Sequence, residues 1–332
     1  VLNQVIDDLQ KAYDLLRTDD WRGAGTWTKY TAAHFLAKAL LYRQSERCTW
    51  KSNYPAKTDL DRAIRLCDEV IDARGLEKDY NNLYSNWTGV DCNIEKSKEI
   101  LMSALHNDAS TTVGRYGNRT YNYFSSQYNT YSGGYVPRGQ YIGDMEFQRC
   151  RPTEYTYAVF DNVNDSRMWK TFKTVYGICN NVATPDYVKA ENAPTFGDQG
   201  VLFLLNKKDD TRFRKDEFGR AAIKHTFVNP ETGKWVPNVA PVYAEGQYVM
   251  NTYGTSAANR SNMFCGINKT ADGSRTGEKG DAHRDVTMAR VGETYLVKAE
   301  CQVRNGDDAG ALATINLLRK RAEWKAGEDR EY

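Results

Sequence analysis

Apolar residues recur with the period of an α-helix at both ends of the chain, and that period is lost in between. Between Met288 and Trp324, Gly292, Leu296, Ala299 and Val303 recur at i, i+4, i+7 and i+11, and Ala311, Ile315, Leu318 and Ala322 repeat the spacing. Two stripes of equal pitch can face each other. Asn305-Gly306-Asp307-Asp308 between them supplies a residue that tolerates left-handed backbone to end one helix and an acidic N-cap to start the next. Small residues, Gly292, Ala299, Ala309, Ala311 and Ala313, permit close approach of the two backbones.

The pair spans about 34 residues, the length of a tetratricopeptide unit. At the other end, Leu2, Val5, Leu9, Ala12, Tyr13 and Leu16 predict a helix over residues 2–17. A second runs from Thr26 or Thr28 to about Arg47, with Ala33, Leu36, Ala37, Leu40 and Leu41 on one side. After Pro55, Thr58 or Asp59 caps a third, in which Leu60, Ala63, Ile64, Cys67, Val70 and Ile71 form the buried stripe and Gly75 ends the run. Pairs at both ends imply one helical array interrupted by a long insertion. The expected fold class is mainly α: tetratricopeptide-like pairs at about 1–75 and 286–324, with an irregular insertion at about 105–285 carrying short strands and loops.

Residues 96–105 read as a strand or a helix. In the insertion, Tyr155 to Phe160, Val201 to Leu205 and Ala221 to Phe227 read as strands or single turns, and Arg167 to Phe172 as a short helix. No low-complexity linker divides the chain, so residues 1–332 are expected to form one domain, incomplete at both ends. Val1 to Leu9 carries acids on a helical stripe and is no signal peptide, so the chain is expected to begin inside a helix with sequence upstream.

With 45 basic and 43 acidic residues interspersed along 332, the net charge of +2 gives no electrostatic case for nucleic acid. No apolar run approaches the roughly 18 residues of a membrane span. The seven cysteines are widely spaced with no CxxC and no paired histidines nearby, which argues against zinc. Cys67 and Cys301 lie on apolar stripes and are expected to be buried free thiols. No metal and no cofactor is expected.

Tyrosine is unevenly distributed. Of 22, nine (Tyr116, Tyr121, Tyr123, Tyr128, Tyr131, Tyr135, Tyr141, Tyr155 and Tyr157) fall between Gly114 and Ala158. A sugar ring has an apolar face of CH groups and an edge of hydroxyls, served by aromatic rings and by Asn, Gln and Arg respectively. Asn118, Arg119, Asn122 and Asn129 are interleaved with these rings. The candidate ligand set is therefore Tyr116, Asn118, Arg119, Tyr121, Asn122, Tyr123, Tyr128, Asn129, Tyr131 and Tyr135. The same composition also fits a long loop pinned down by half-buried tyrosines. Catalytic motifs are missing: there is no Gly-x-Ser-x-Gly and no His-Glu-x-x-His, the four histidines are isolated, and Asp144, Glu146, Asp161 and Asp165 read as turn formers. A binder, not an enzyme, is expected.

The C-terminal stretch resembles the signature of the SusD-like, or RagB-like, surface nutrient-binding lipoproteins. The residues that carry the resemblance are Arg290, Glu293-Thr294-Tyr295-Leu296, Ala299-Glu300, Asn305-Gly306-Asp307, Ala311 and Ile315-Asn316-Leu317-Leu318-Arg319. The Asp8-Leu9-x-x-Ala12 opening, the Tyr30 to Tyr42 and Asp59 to Ile71 helices, the Ser97 to Leu101 segment and Asp165-Ser166-Arg167 follow in the same order. The resemblance implies a helical scaffold with an irregular ligand-bearing region. It also implies a lipid-anchored outer-membrane protein that captures glycans, or in some members peptides, for a TonB-dependent transporter of the SusC type. The family's lipidated cysteine is not in this sequence. A protein-binding tetratricopeptide scaffold is the rival from another class.

Overall fold

The structure is a computed structural model. It describes residues 1–19, 23, 25–84, 97–106, 120–137, 149–161, 163–215, 221–222, 227–250, 264–267, 269 and 284–326, apart from the side chains at 81, 84, 130, 131, 221 and 222. In chain order these form helices α1 (Leu2–Leu15), α2 (Lys29–Arg43), α3 (Ala56–Arg74), α4 (Asn81–Tyr84), α5 (Tyr128–Tyr131), α6 (Glu154–Val159), α7 (Arg167–Thr171), α8 (Val291–Arg304) and α9 (Asp308–Arg321). The strands are β1 (Ile100–Ala104), β2 (Phe172–Lys173), β3 (Val175–Gly177), β4 (Gln199–Leu204), β5 (Arg214–Lys215), β6 (Ala221–Ala222), β7 (Asn238–Pro241), β8 (Tyr243–Ala244), β9 (Gln247–Tyr248), β10 (Gly266–Ile267) and β11 (Val286–Arg290). Two compact units result: Val1–Asn86 with Asp91–His106 and Arg284–Glu323, and Trp87–Val90 with Asn107–His283 and Trp324–Tyr332.

The first unit is helical and is assembled from both ends of the sequence. Helices α1, α2, α3, α8 and α9 pack each on the next. Leu36, Ala37 and Leu40 of α2, Ala63, Cys67 and Val70 of α3, and Val291 and Cys301 of α8 have no exposed surface and make its core. The alanines there bring the backbones close, as in tetratricopeptide arrays.

Thr28 is the N-cap of α2, in a reciprocal box with Thr31. The expected cap of α3 is displaced. The helix begins at Ala56, behind Pro55. Asp59 is instead buried, accepting from Arg43 Nε at 2.8 Å, Arg43 Nη2 at 2.5 Å and Gln44 Nε2 at 2.6 Å. A carboxylate with a guanidinium fork within reach is worth more there than at a helix end, and leaving either charge alone would cost about 3–5 kcal/mol. Gly75 ends α3 with φ +70°, as expected.

The α8–α9 turn follows its sequence signal: Gly306 has φ +83°, and Asp307 Oδ1 accepts from Gly310 N–H at 2.9 Å. The α8 stripe differs from the expected one. Leu296 and Val303 are 52% exposed, while Val291, Thr294, Val297 and Cys301 turn inward. Gly292 and Ala299 are buried as expected. An added Cβ at Gly292 would collide with the Arg290 guanidinium, which donates to Glu99 Oε1 at 2.7 Å. Glu99 is buried and also accepts from Arg321 at the end of α9 and from Glu77 N–H at 2.7 Å. Residues 96–105 contain strand β1, antiparallel to β11 with Ile100 opposite Arg290 and Ala104 opposite Val286.

The second unit holds the insertion. Its largest sheet orders β3-β4-β7, with β3 antiparallel and β7 parallel to β4. Val201 to Leu204 of β4 are an unbroken apolar run because both faces are covered: Val201, Leu202 and Phe203 have no exposed surface. The expected short helix is α7. Tyr155 to Phe160, which the sequence reads as a strand or a single turn, falls largely in the helix α6, with Thr153 at its N-cap position. Tyr157 faces inward at 8% exposure and Tyr155 outward at 74%, so one short helical face meets the core.

Candidate functional site

The structure divides the sequence-derived ligand set. Tyr116, Asn118 and Arg119 lie outside the described residues, as does Tyr141, and the side chain of Tyr131 is not described. Tyr121, Asn122 and Tyr123 occupy a 3-10 turn, Thr120–Phe124, in which Tyr121 is 2% exposed, Asn122 fully buried and Tyr123 44% exposed. Tyr128 is fully buried, its ring stacked on Tyr176 with centroids 4.3 Å apart and planes 14° from parallel. Asn129 is half-buried. Gly133 and Gly134, with φ +59° and +90°, let the chain reverse and carry Tyr135 inward. In this structure Tyr121, Tyr128 and Tyr135 therefore pack inside the insertion, and Tyr123 is the described ring of that set open to solvent. Large rings bury in preference to lying flat in water when backbone reversals permit it.

Tyr135 leads to an aromatic group that tyrosine density in the sequence does not reveal. Its ring meets Trp235 edge-on at 6.2 Å and 76°, and its hydroxyl donates to the Ala183 carbonyl at 3.3 Å. On Trp235 a second ring, Tyr187, stands edge-on at 6.0 Å and 83°. Trp235 is buried at 4% exposure and Tyr187 is 56% exposed, so the indole is the support and Tyr187 the outermost ring. Burial raises the Tyr135 phenol above its ordinary pKa, and the neighbouring Tyr187 phenol adds to the effect.

Backbone contacts hold this shelf. Trp235 N–H donates to the Asn192 carbonyl at 2.8 Å, Asn192 Nδ2 to the Gly233 carbonyl at 2.6 Å and Lys234 Nζ to the Ala193 carbonyl at 3.1 Å. Asn180 Nδ2 donates to the Gly134 carbonyl at 3.1 Å. In each case the amide nitrogen is engaged, and the Oδ1 acceptors of Asn180 and Asn192 take no hydrogen bond among the described residues. An exposed ring on a buried indole, with the Asn192 amide held at the backbone of that indole, suits an oligosaccharide: CH groups on the ring, hydroxyls on the amide. The sequence does carry a trace of it, a lone Trp after the polar turn Asn229-Pro230-Glu231-Thr232-Gly233-Lys234.

Asp161 and Asp165, acids that follow the tyrosine-rich stretch in sequence, are engaged in turns. Asp161 accepts from Val163 N–H at 3.0 Å and from Asn164 N–H and Nδ2 at 3.1 and 2.8 Å, which holds its carboxyl below the usual range. Asp165 is forked by Arg167. Asp144 and Glu146 lie outside the described residues, as does the Asp272 to Asp281 stretch. Among the described residues no group of His, Cys, Asp and Glu is placed to hold a metal, and no helix is long and apolar enough to cross a membrane.

No curated protein matches the chain. Among solved structures, it is similar to surface glycan-binding protein A from Bacteroides thetaiotaomicron in complex with laminarihexaose, at 14% identity and TM-score 0.54 over 99% of this chain and 55% of that one. A SusD superfamily protein from Parabacteroides distasonis aligns at 15% identity and TM-score 0.52 over 96% of this chain and 49% of that one. A third, from Bacteroides fragilis, aligns at 17% identity and TM-score 0.50 over 98% and 52%. At these identities the likeness concerns the fold, and the chain spans about half the length of the structures it matches. The sequence model described as the SusD family matches residues 68–332, most of the chain. The chain belongs to the SusD family.

Proposed function

We propose that the protein is a non-catalytic glycan-binding protein of the bacterial cell surface, capturing an oligosaccharide or polysaccharide for a TonB-dependent outer-membrane transporter of the SusC type. The observation that carries this reading is the exposed Tyr187 ring mounted on the buried Trp235, whose backbone N–H holds Asn192, an amide with a spare acceptor. Stacking on a ring already braced by a buried neighbour costs little side-chain entropy, and Asp161 and Asp165, the described acids among the sequence candidates, are tied into turns. Glycoside hydrolysis would need a pair about 5–10 Å apart across a cleft. A protein of the same fold is in complex with laminarihexaose, and the family resemblance supplies the outer-membrane setting, a lipid anchor and the transporter as partner. Tyr123, and Tyr116, Asn118, Arg119 and Tyr131 beside it in sequence, remain proposed contributors.

Isothermal titration of the chain against a panel of neutral and acidic oligosaccharides, and against mixed peptides, is the test. Saturable, enthalpic binding to a glycan without release of shorter products is expected. Binding of peptides alone, or cleavage of the glycan, would replace this reading with peptide capture or with hydrolysis.

A further inference from the structure

The helical unit carries a concave site of its own. Gln10 and Tyr13 of α1 and Arg62, Arg65, Leu66 and Glu69 of α3 line a cavity of about 420 Å³, a size ordinary for small-ligand sites. Its charges are not balanced. Glu69 is the carboxylate of the lining, and both of its oxygens are taken: the Tyr13 hydroxyl donates to Oε2 at 2.5 Å and the Lys29 ammonium lies 3.2 Å from Oε1. Arg62 and Arg65, three positions apart, project from the same side of α3. Arg62 donates through Nη2 to Gln10 Oε1, and Arg65 makes no hydrogen bond and no ion pair among the described residues.

Nearby acids do not fill the gap. Asp14 accepts from Gln10 Nε2 at 2.8 Å. Asp61 feels the charge of Arg65 but is held by Asn305 Nδ2 at 2.5 Å and Lys57 Nζ at 3.3 Å. The contrast is a larger cavity of about 590 Å³ at the α2–α3 connection. There Lys51 pairs with Glu46 and Arg304 with Glu300, so each cation in the lining already has its counter-ion. At the first cavity two guanidiniums converge on space with none of their own.

We infer that the α1–α3 cavity binds an anionic saccharide unit, one carrying a carboxylate or a sulfate ester. The Arg62 and Arg65 forks take the anion, and Tyr13 and Leu66 supply the apolar wall. That the anion is borne by a sugar rests on the glycan-binding reading above. The site itself is built from other residues than the Tyr187 shelf.

The test is calorimetry on the full chain with an oligogalacturonate, a sulfated oligosaccharide, neutral laminarihexaose and inorganic sulfate. The acidic oligosaccharides should bind, with affinity falling as salt is raised, and Arg65→Ala and Arg62→Ala/Arg65→Ala should each weaken them at least tenfold at unchanged Tm. Tyr187→Ala should leave that salt-sensitive component in place. Acidic probes that do not bind, or that bind the double variant as well as wild type, overturn the inference. Inorganic sulfate binding as tightly as the oligosaccharides overturns its saccharide part. Neutral glycans binding while acidic ones fail would sink this site and leave the shelf standing.

Discussion

At the scale of single residues, the same side chain has opposite roles within one unit. The Tyr128 ring is sealed against Tyr176, whereas Tyr187 is half in water on a buried indole. Truncating the first leaves a void among packed rings, and truncating the second removes a surface. Tyr128→Ala should therefore destabilise the protein by about 3–5 kcal/mol. Tyr187→Ala should leave Tm nearly unchanged and weaken glycan binding by about 1–3 kcal/mol, by analogy with aromatic stacking on other planar ligands. Calorimetry and thermal melts on both variants separate the two roles, and a Tyr187→Ala variant that melts as early as Tyr128→Ala would make that ring structural too. Composition located an aromatic-rich insertion, because tyrosine and asparagine counts are visible in a sequence. It did not tell Tyr128 from Tyr187. Which ring faces water is decided by the reversal at Gly133 and Gly134 and by Trp235, a partner 100 residues beyond Tyr135.

At the scale of elements, the helices were legible and their facing was less so. Helix α8 is apolar over a wide arc, so a stripe through Leu296 and Val303 has the right pitch and points outward, while Val297 and Cys301, one turn apart, meet α3. Periodicity gives the pitch of a stripe, and the neighbouring helix chooses which stripe is covered. Polar ties between helices were not legible either. Glu293, within the family signature, accepts from the buried His34 of α2 at 3.1 Å and from Lys38 at 2.6 Å. Hydrogen bonding from His34 is the main cause that lowers its carboxyl from 4.5 to about 2, against some desolvation. The lower folded-state value means the unfolded chain binds more protons between those limits. This bond between α2 and α8 thus stabilises fully above about pH 4.5 and is lost as pH falls to about 2. Glu293→Gln should lower Tm at neutral pH, with the gap to wild type closing across that window. A gap that stays constant from pH 5 to pH 2.5 would place the stabilisation elsewhere.

At the scale of the whole chain, the helical unit is continuous in space and interrupted in sequence. His34 reaches Thr294 and Glu293 across more than 250 residues. The chain leaves this unit along β1 and re-enters along β11, side by side, with Ala104 opposite Val286 and His106 N–H donating to Asp285 Oδ1 at 2.7 Å. Antiparallel strands with adjacent ends can be closed by a turn of about two to five residues. Replacing residues 107–283 with a short Gly-rich turn should therefore leave a helical protein that folds alone. Cys67 and Cys301, both fully buried, report on it: burial pushes the Cys301 thiol up to about 12 and the Cys67 thiol well above its ordinary value, so neither should alkylate until denaturant is added. A fragment of residues 1–106 is the informative control. It lacks α8, so Cys67 and Val70 of α3 lose their cover, and rapid labelling of Cys67 with weak thermal cooperativity is expected. Rapid labelling of both thiols in the shortened chain would mean that the insertion is needed to complete the helical unit, and that its two ends are not joined by their own packing.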